Sequence, residues 1–417
     1  MSSPMHCAIQ RGTPAYLRAN LALFLAGFAT FSLLYCVQPL LPAFARTFQV
    51  SPAESSLALS LSTSLLAFAI LIAAIISSSV KRRMLMGTSM VLASVLNIVA
   101  GLVPDWHALL ASRALSGLVL GGVPAVAMAY LAEEIDHRGL GMAMGLYVAG
   151  TGVGGLFGRI AAASLSEHFD WHVAMLVLGI VNLLTAVGFI ALLPASRNFT
   201  PRPPQGLRHH LGLWGAHLRQ PGLPRLFLMS FTVMGCFVTV YNYVGFHLMQ
   251  APYLLSQTQI GIVFMANIFG IVSSSVAGGL ADRHGRAPVL IVGIVCMLLG
   301  LALSLHTHLA VLLLGVVVLT AGFFIAHAVA SAWVGRLAQG SKGHASSLYL
   351  LTYYIGSSTM GSVGGWFWEY GHWPGVAALG GALMLLALGV AISLRPLDNK
   401  GPATASDQTH AGNPNRT

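Results

Sequence analysis

Two arginines, Arg113 and Arg159, fall inside long apolar stretches, while all eleven Asp and Glu residues fall in loops or at the ends of those stretches. A guanidinium at such depth is costly and is usually kept for a function. With no carboxylate beside it, this pattern favours a neutral or anionic ligand over a permanent cation. Groups that change charge near neutral pH include the imidazoles of His247 and His327. Glu133 and Glu134, at the end of a stretch, read as a gate or as solvated helix-end acids. Covalent chemistry would need a nucleophile beside a base, or metal ligands at workable spacing. His168 and His172 stand four apart, with Glu167 and Asp170 beside them, and His306 and His308 form a second small group. Four-residue spacing suits a zinc pair only on a continuous helix, and this stretch reads as a loop. No Gly-x-x-x-x-Gly-Lys-Ser/Thr phosphate loop occurs, and Cys7, Cys36, Cys236 and Cys296 are scattered. Neither an enzyme, a metal site, a disulfide framework, a cofactor nor direct ATP drive is expected.

The elements that position these groups are membrane spans. The chain is 56% hydrophobic and 8% charged, with a mean hydropathy of +0.77, and about 20 helical residues cross a hydrocarbon core. Twelve apolar stretches are predicted near 20–41, 56–78, 84–103, 107–132, 140–163, 173–194, 226–250, 258–280, 287–305, 309–333, 345–368 and 374–394. Such a chain is an all-α membrane protein. An even count places both termini on one side. Of 21 Lys and Arg residues, 18 lie in the two tails or the connections after spans 2, 4, 6, 8 and 10, and only Arg46 lies opposite. Basic loops stay in the cytoplasm, so both termini are expected there. The net charge of +10 is then explained by anionic lipid headgroups, without nucleic acid. Ala43-Phe44-Ala45 follows the first span in the pattern of a leader cleavage site, but that span is too long for a signal h-region and is expected to be retained.

The chain repeats itself at an offset near 205. Tyr35 matches Tyr241, Ser51 matches Ser256, Gly150 matches Gly356, and Glu167-His168-Phe169-Asp170-Trp171 matches Glu369-Tyr370-Gly371-His372-Trp373. Four matches in order imply duplication into two halves of six spans in the same orientation. The expected organisation is a tail at 1–19, a six-helix bundle at 20–194, a linker at 195–225, a second bundle at 226–394 and a tail at 395–417, the last expected to be disordered. Within the linker, which holds Pro201, Pro203, Pro204 and Pro221 among several arginines, Leu207, Leu211, Leu213, Trp214 and Leu218 form one face of a predicted interfacial helix.

Between spans 8 and 9 lies Gly278-Gly279-Leu280-Ala281-Asp282-Arg283-His284-Gly285-Arg286. It resembles the Gly-x-x-x-Asp-Arg-x-Gly-Arg loop signature of the major facilitator superfamily. With twelve spans in two halves, the resemblance covers about residues 18–395. A tight turn whose Asp caps or pairs at facing helix ends makes Gly278, Asp282, Arg283, Gly285 and Arg286 a candidate conformational latch. The first-half counterpart, Ser77 to Arg83, keeps only its basic end, so a latch there is built differently. Span 4 carries Leu110-Ala111-Ser112-Arg113-Ala114-Leu115-Ser116-Gly117, similar to the family's buried-arginine motif, which implies proton coupling or substrate contact by Arg113; snorkelling to the interface is the alternative. Span 5, with Gly141, Gly150, Gly154, Gly155 and Gly158, resembles the family's antiporter motif, although Gly155 and Arg159 stand where Pro and Gly are usual. Gly150, Gly154 and Gly158 make a smooth packing face. By the same resemblance, spans 1, 4, 7 and 10 line a central cavity, whose candidate residues are Tyr35, Gln38, Arg113, Tyr241, Asn242, His247 and His327, joined by Asn267 of span 8. Each of these is as readily an interhelical hydrogen-bond partner.

The resemblance implies a monomeric transporter of the bacterial inner membrane that moves a small molecule by alternating access, similar to sugar-efflux and drug/proton antiporter-like proteins. The glycine faces of spans 5 and 11 are then expected to slide between the halves, and Arg113, Glu133, Glu134, His247 and His327 are candidate proton-coupling groups. Facilitated diffusion or uptake symport is the alternative. A non-transporting receptor would add a soluble domain, for which tails and linker are too short.

Overall fold

The computed structural model describes residues 8–76, 80–196, 198 and 206–398. Among these the chain is helical apart from turns and one isolated bridge between Ile9 and Ile135. The spans are α1 (Pro14–Phe48), α2 (Pro52–Ala73), α3 (Arg82–Ala100), α4 (Trp106–Glu134), α5 (His137–His168), α6 (Trp171–Leu192), α7 (Leu223–Met249), α8 (Gln257–His284), α9 (Arg286–Ser304) and α10 (Leu309–Leu337). A last stretch, Lys342–Asp398, is broken only at His372, where φ is 47°. It makes two spans, α11 (342–371) and α12 (373–398). Twelve helices thus form two six-helix bundles, joined by a linker helix, Leu207–Arg219.

The helices overrun the hydropathy windows because polar end turns remain helical when capped. Asp105, Asp136 and Asp170 are such caps, accepting from the backbone N–H of Ala108, Arg138 and Val173. The matched serines are the same device used twice: Ser51 with Glu54 and Ser256 with Gln259 close capping boxes after α1 and α7.

Two bundles of like construction follow. A Cβ built on Gly150, Gly154 or Gly158 would lie 2.3, 2.1 or 2.6 Å from the carbonyl oxygens of Phe24, Phe28 and Ser32, so α5 seats directly on the backbone of α1. In the second half, a Cβ built on Gly356 of α11 would lie 2.2 Å from Phe231 O of α7. The α5 face therefore lies inside the first half, which corrects the expectation that it slides between halves; on α11, Gly356 packs within the second half while Gly365 meets α2 of the first. Gly141 is not part of the face: an added Cβ would meet nothing within 4 Å.

The contacts between halves gather at the end opposite the termini. Ser362 Oγ of α11 donates to Ser60 Oγ of α2 at 2.9 Å, and a Cβ on Gly365 would lie 2.3 Å from Ala53 Cα. Beside them, a Cβ on Gly261 of α8 would lie 2.7 Å from Ala163 Cβ of α5. Toward the terminal end of the same helices, side chains added at Gly145, Gly278 or Gly279 would meet nothing within 4 Å.

The linker helix docks on the second half. Trp214 Nε1 donates to Ser347 Oγ at 3.1 Å, His210 Nδ1 lies 2.9 Å from His344 Nε2, and His217 Nε2 lies 3.0 Å from Ser341 O. Its expected apolar face splits: Trp214 is buried in this contact, while Leu207, Leu211 and Leu218 are exposed on the outside. The tail begins later than expected, because α12 continues to Asp398, whose Oδ2 accepts from Ala287 N at 2.9 Å and caps α9. The remainder of the expected disordered tail, with Cys7, the serines of the first-half loop and the linker prolines Pro201, Pro203 and Pro204, lies outside the described residues.

Candidate functional site

The site grows from two interruptions in the helices. Pro39 and Pro42 cannot donate to an α-helical ladder, and after Tyr35 the chain of α1 turns into a 3-10 segment, Gln38–Leu40, before resuming at Leu41. In the other half α8 is interrupted between Val263 and Ala266, where Asn267 Nδ2 donates to the freed Phe264 carbonyl at 2.8 Å. Gln257 Nε2, at the start of α8, donates to Pro39 O, tying the α1 interruption to the other half. Broken helices facing a seam are the usual construction of midplane sites in transporters.

Between them lies Arg159 of α5. Its Nε donates to Gln38 Oε1 at 2.8 Å and its Nη1 to Gly155 O at 3.0 Å. Its Cζ stands 4.3 Å from the Tyr35 ring centroid and 5.3 Å from that of Phe264, a cation sandwiched between aromatic faces from both halves. Gln38 passes the connection onward, donating through Nε2 to Asn242 Oδ1 of α7 at 2.9 Å. Tyr241, stacked on Phe264, shares a 2.7 Å hydrogen bond with Thr320 of α10. Tyr35, Gln38, Tyr241, Asn242 and Asn267 are thus brought to one seam, around an arginine that sequence reasoning identifies only as an embedded charge. The available signal is its position, where the resembling motif has glycine.

The other expected residues go elsewhere. Arg113 is wholly buried inside the first half, where Nη2 donates to Leu34 O at 3.0 Å, Nη1 to Asn97 Oδ1 at 3.2 Å and Nε to Ala58 O at 3.4 Å. Oxygens from α1, α2 and α3 thereby solvate it, and it acts as a tie among four helices. His247, in the last turn of α7, stacks on Trp373 with centroids 4.9 Å apart. His327 lies on α10 with Nδ1 3.0 Å from Tyr349 Oη and its ring 4.8 Å from Tyr353. Glu133 holds Arg82 at 2.7 Å, and Glu134 accepts from Asn198 N at 2.9 Å. The signature Asp282 is 76% exposed, with Arg286 Nη2 3.5 Å away.

Among the described residues the seam offers hydrogen-bond donors and aromatic faces rather than a nucleophile paired with a base. Among the described residues no group of three His, Cys, Asp or Glu side chains is placed to hold a metal. His168 ends α5 and His172 belongs to α6, on either side of the break at Phe169.

Glu167 fastens the edge of the seam opposite the termini. Its Oε2 accepts from Ser256 Oγ at 2.9 Å and Thr258 N at 2.5 Å, both at the start of α8 in the other half. A carboxylate holds such donors most strongly when ionised. Glu167→Gln is therefore expected to loosen this end at neutral pH, and the wild type to do so only when acid protonates a carboxylate that the Thr258 and Ser256 donors hold in its ionised form. Thiol labelling of Cys introduced at Ser56, on the same seam, reads the opening; labelling unchanged in the variant would remove the fastening role.

Comparison with known proteins accords with this architecture. The family model described as Major Facilitator Superfamily matches residues 23–254 and 245–416. The chain is 43% identical over 380 residues to the MFS-type transporter YybF of Bacillus subtilis (strain 168), covering 91% of this chain and 94% of that protein. It is 42% identical over 382 residues to the inner membrane transport protein YnfM of Escherichia coli (strain K12), covering 91% of each. The crystal structure of a point mutant of the peptide transporter POT in complex with sulfate superposes with a TM-score of 0.75 at 13% identity, covering 91% of this chain and 94% of that one. With a helical bundle built in two like halves and a polar seam between them, the chain belongs to the Major Facilitator Superfamily, as a multi-pass membrane transporter.

Proposed function

We propose that the protein exports a small neutral, amphipathic or anionic compound across the bacterial inner membrane by alternating access, in exchange for protons. The observation that carries this reading is the polar relay Arg159–Gln38–Asn242, which crosses the seam at the helix interruptions and would break when the halves rock apart. Both termini are cytoplasmic by the distribution of basic residues, and the inner membrane is where the relative YnfM is named. The conformation is then inward-facing: closed outside by Ser60–Ser362 and Glu167, open at the terminal end. Exposure of Asp282 fits that state, since a cytoplasmic latch is released when the cytoplasmic side opens. The rocking units are residues 20–194 and 226–394, working as a monomer. His327, hydrogen-bonded to Tyr349 and beside Tyr353, is better placed than His247 to carry the coupling proton.

The test is substrate-triggered proton movement in proteoliposomes loaded with a pH dye. A panel of sugars, organic anions and amphipathic drugs is expected to contain a compound that collapses an imposed gradient. Labelled compound crossing without proton movement would replace antiport with facilitated diffusion; no flux of any kind would reject the transport assignment for this cargo range.

A further inference from the structure

Two donors at the seam are left over. Arg159 Nη2 has no hydrogen-bond partner among the described residues and is not sealed from solvent, although the residue as a whole is only 6% exposed. Asn242 is 1% exposed, and its Nδ2 is buried with no partner among the described residues. A buried donor without an acceptor costs about 1–3 kcal/mol, and a buried guanidinium without a counter-charge costs more. The two donors belong to opposite halves and are joined through one side chain, Gln38, by bonds of 2.8 and 2.9 Å.

We propose that Arg159 and Asn242 form a clamp for the carboxylate of a planar, apolar monoanion, one oxygen taking Arg159 Nη2 and the other Asn242 Nδ2. This rests on the transporter reading above and names its cargo class. The charge follows from counting: one guanidinium lacks a counter-ion here, while Arg113 is already surrounded by oxygens. Two unit charges 4 Å apart interact by about 4 kcal/mol at an effective dielectric of 20. A cation at this place is repelled by as much as an anion is attracted, and a dianion carries an excess charge into a low-dielectric seam. The flat body follows from the walls. The rings of Tyr35 and Phe264 flank the guanidinium, and Tyr241 stacks on Phe264. Aromatic faces of this kind favour offset stacking of a planar apolar group. Because the clamp takes one donor from each half, a bound carboxylate also couples occupancy to the approach of α5 and α7.

Benzoate, with its neutral isostere benzamide, tests the clamp on the full chain in lipid nanodiscs by titration calorimetry. Benzoate is expected to bind and benzamide to compete at least about 30-fold more weakly. Arg159→Gln is expected to lose benzoate by a similar factor, Asn242→Ala by about tenfold. Arg159→Lys should retain weakened binding, since a point charge cannot reproduce the planar fork; this variant, with gel filtration of all three, separates lost recognition from lost folding. Benzamide binding as well as benzoate, unchanged binding by Arg159→Gln, or no benzoate binding by the wild type would overturn the proposal. Flux is measured separately in proteoliposomes. Arg159-dependent binding without flux would leave the clamp standing and defeat the transport cycle, whereas flux of neutral compounds without benzoate binding would do the reverse.

Discussion

Oxidation of a Ser60→Cys/Ser362→Cys variant should reduce transport to the level of empty liposomes, and reductant should restore it. The two hydroxyls are 2.9 Å apart, on α2 and α11. Helices that bring two Oγ atoms so close place their Cβ atoms near the roughly 4 Å that a disulfide spans. The bond would fasten the two halves at the end opposite the termini, where alternating access requires them to separate. Native Cys36 and Cys236 are fully buried and free, so the oxidant has little else to join at this seam. Full crosslinking with undiminished flux would show that this end does not open during the cycle.

Gly154→Leu should be among the most damaging single substitutions in the first half. Its Cβ would fall 2.1 Å from Phe28 O and 2.5 Å from Phe28 Cα, so the obstacle is backbone, with no side chain to rotate away. Either α1 or α5 must move, and every contact between them along Gly150, Gly154 and Gly158 is disturbed. Overpacking in interiors commonly costs about 1–3 kcal/mol, and a helix displacement belongs at or above the top of that range. Gly141→Leu, on the same helix with nothing within 4 Å, is the control and should melt near the wild-type temperature. Equal melting temperatures and gel-filtration profiles for the two variants would show that the α1–α5 contact tolerates a gap.

Depth in the membrane and the doubling of the chain are legible because both are one-dimensional. Hydropathy reports distance from a surface, and the Ser51/Ser256 match reports a local capping device that needs no distant partner. Azimuth is not legible in the same way. Arg113 and Arg159 read alike as embedded charges, yet one faces α1, α2 and α3 while the other faces the seam. Partial orientation is available: with Gly150, Gly154 and Gly158 packed on a neighbour, residue 159 is turned about 100° from that face. What lies beyond reach is which helix provides the neighbour. That depends on bundle packing, and it is why the sequence points to a glycine face between halves when the face lies within one. The capping role of Asp398 is hidden for a similar reason, since its partner Ala287 is 111 residues away.

The Gln38 amide has a direction, and that direction propagates. A guanidinium is only a donor, so the Gln38 oxygen must turn toward Arg159 and its nitrogen toward the second half. Asn242 must then present its own oxygen, which leaves its nitrogen against Gly361 of α11 with no acceptor among the described residues. A single charge on α5 therefore dictates the rotamer of an amide on α7, across a boundary that no backbone crosses at that point. Reverse either amide and two donors collide. The seam is in this sense polarised like a wire with a plus end in the first half, and whatever enters it meets a surface whose hydrogen-bonding sense has been set from the other side of the molecule.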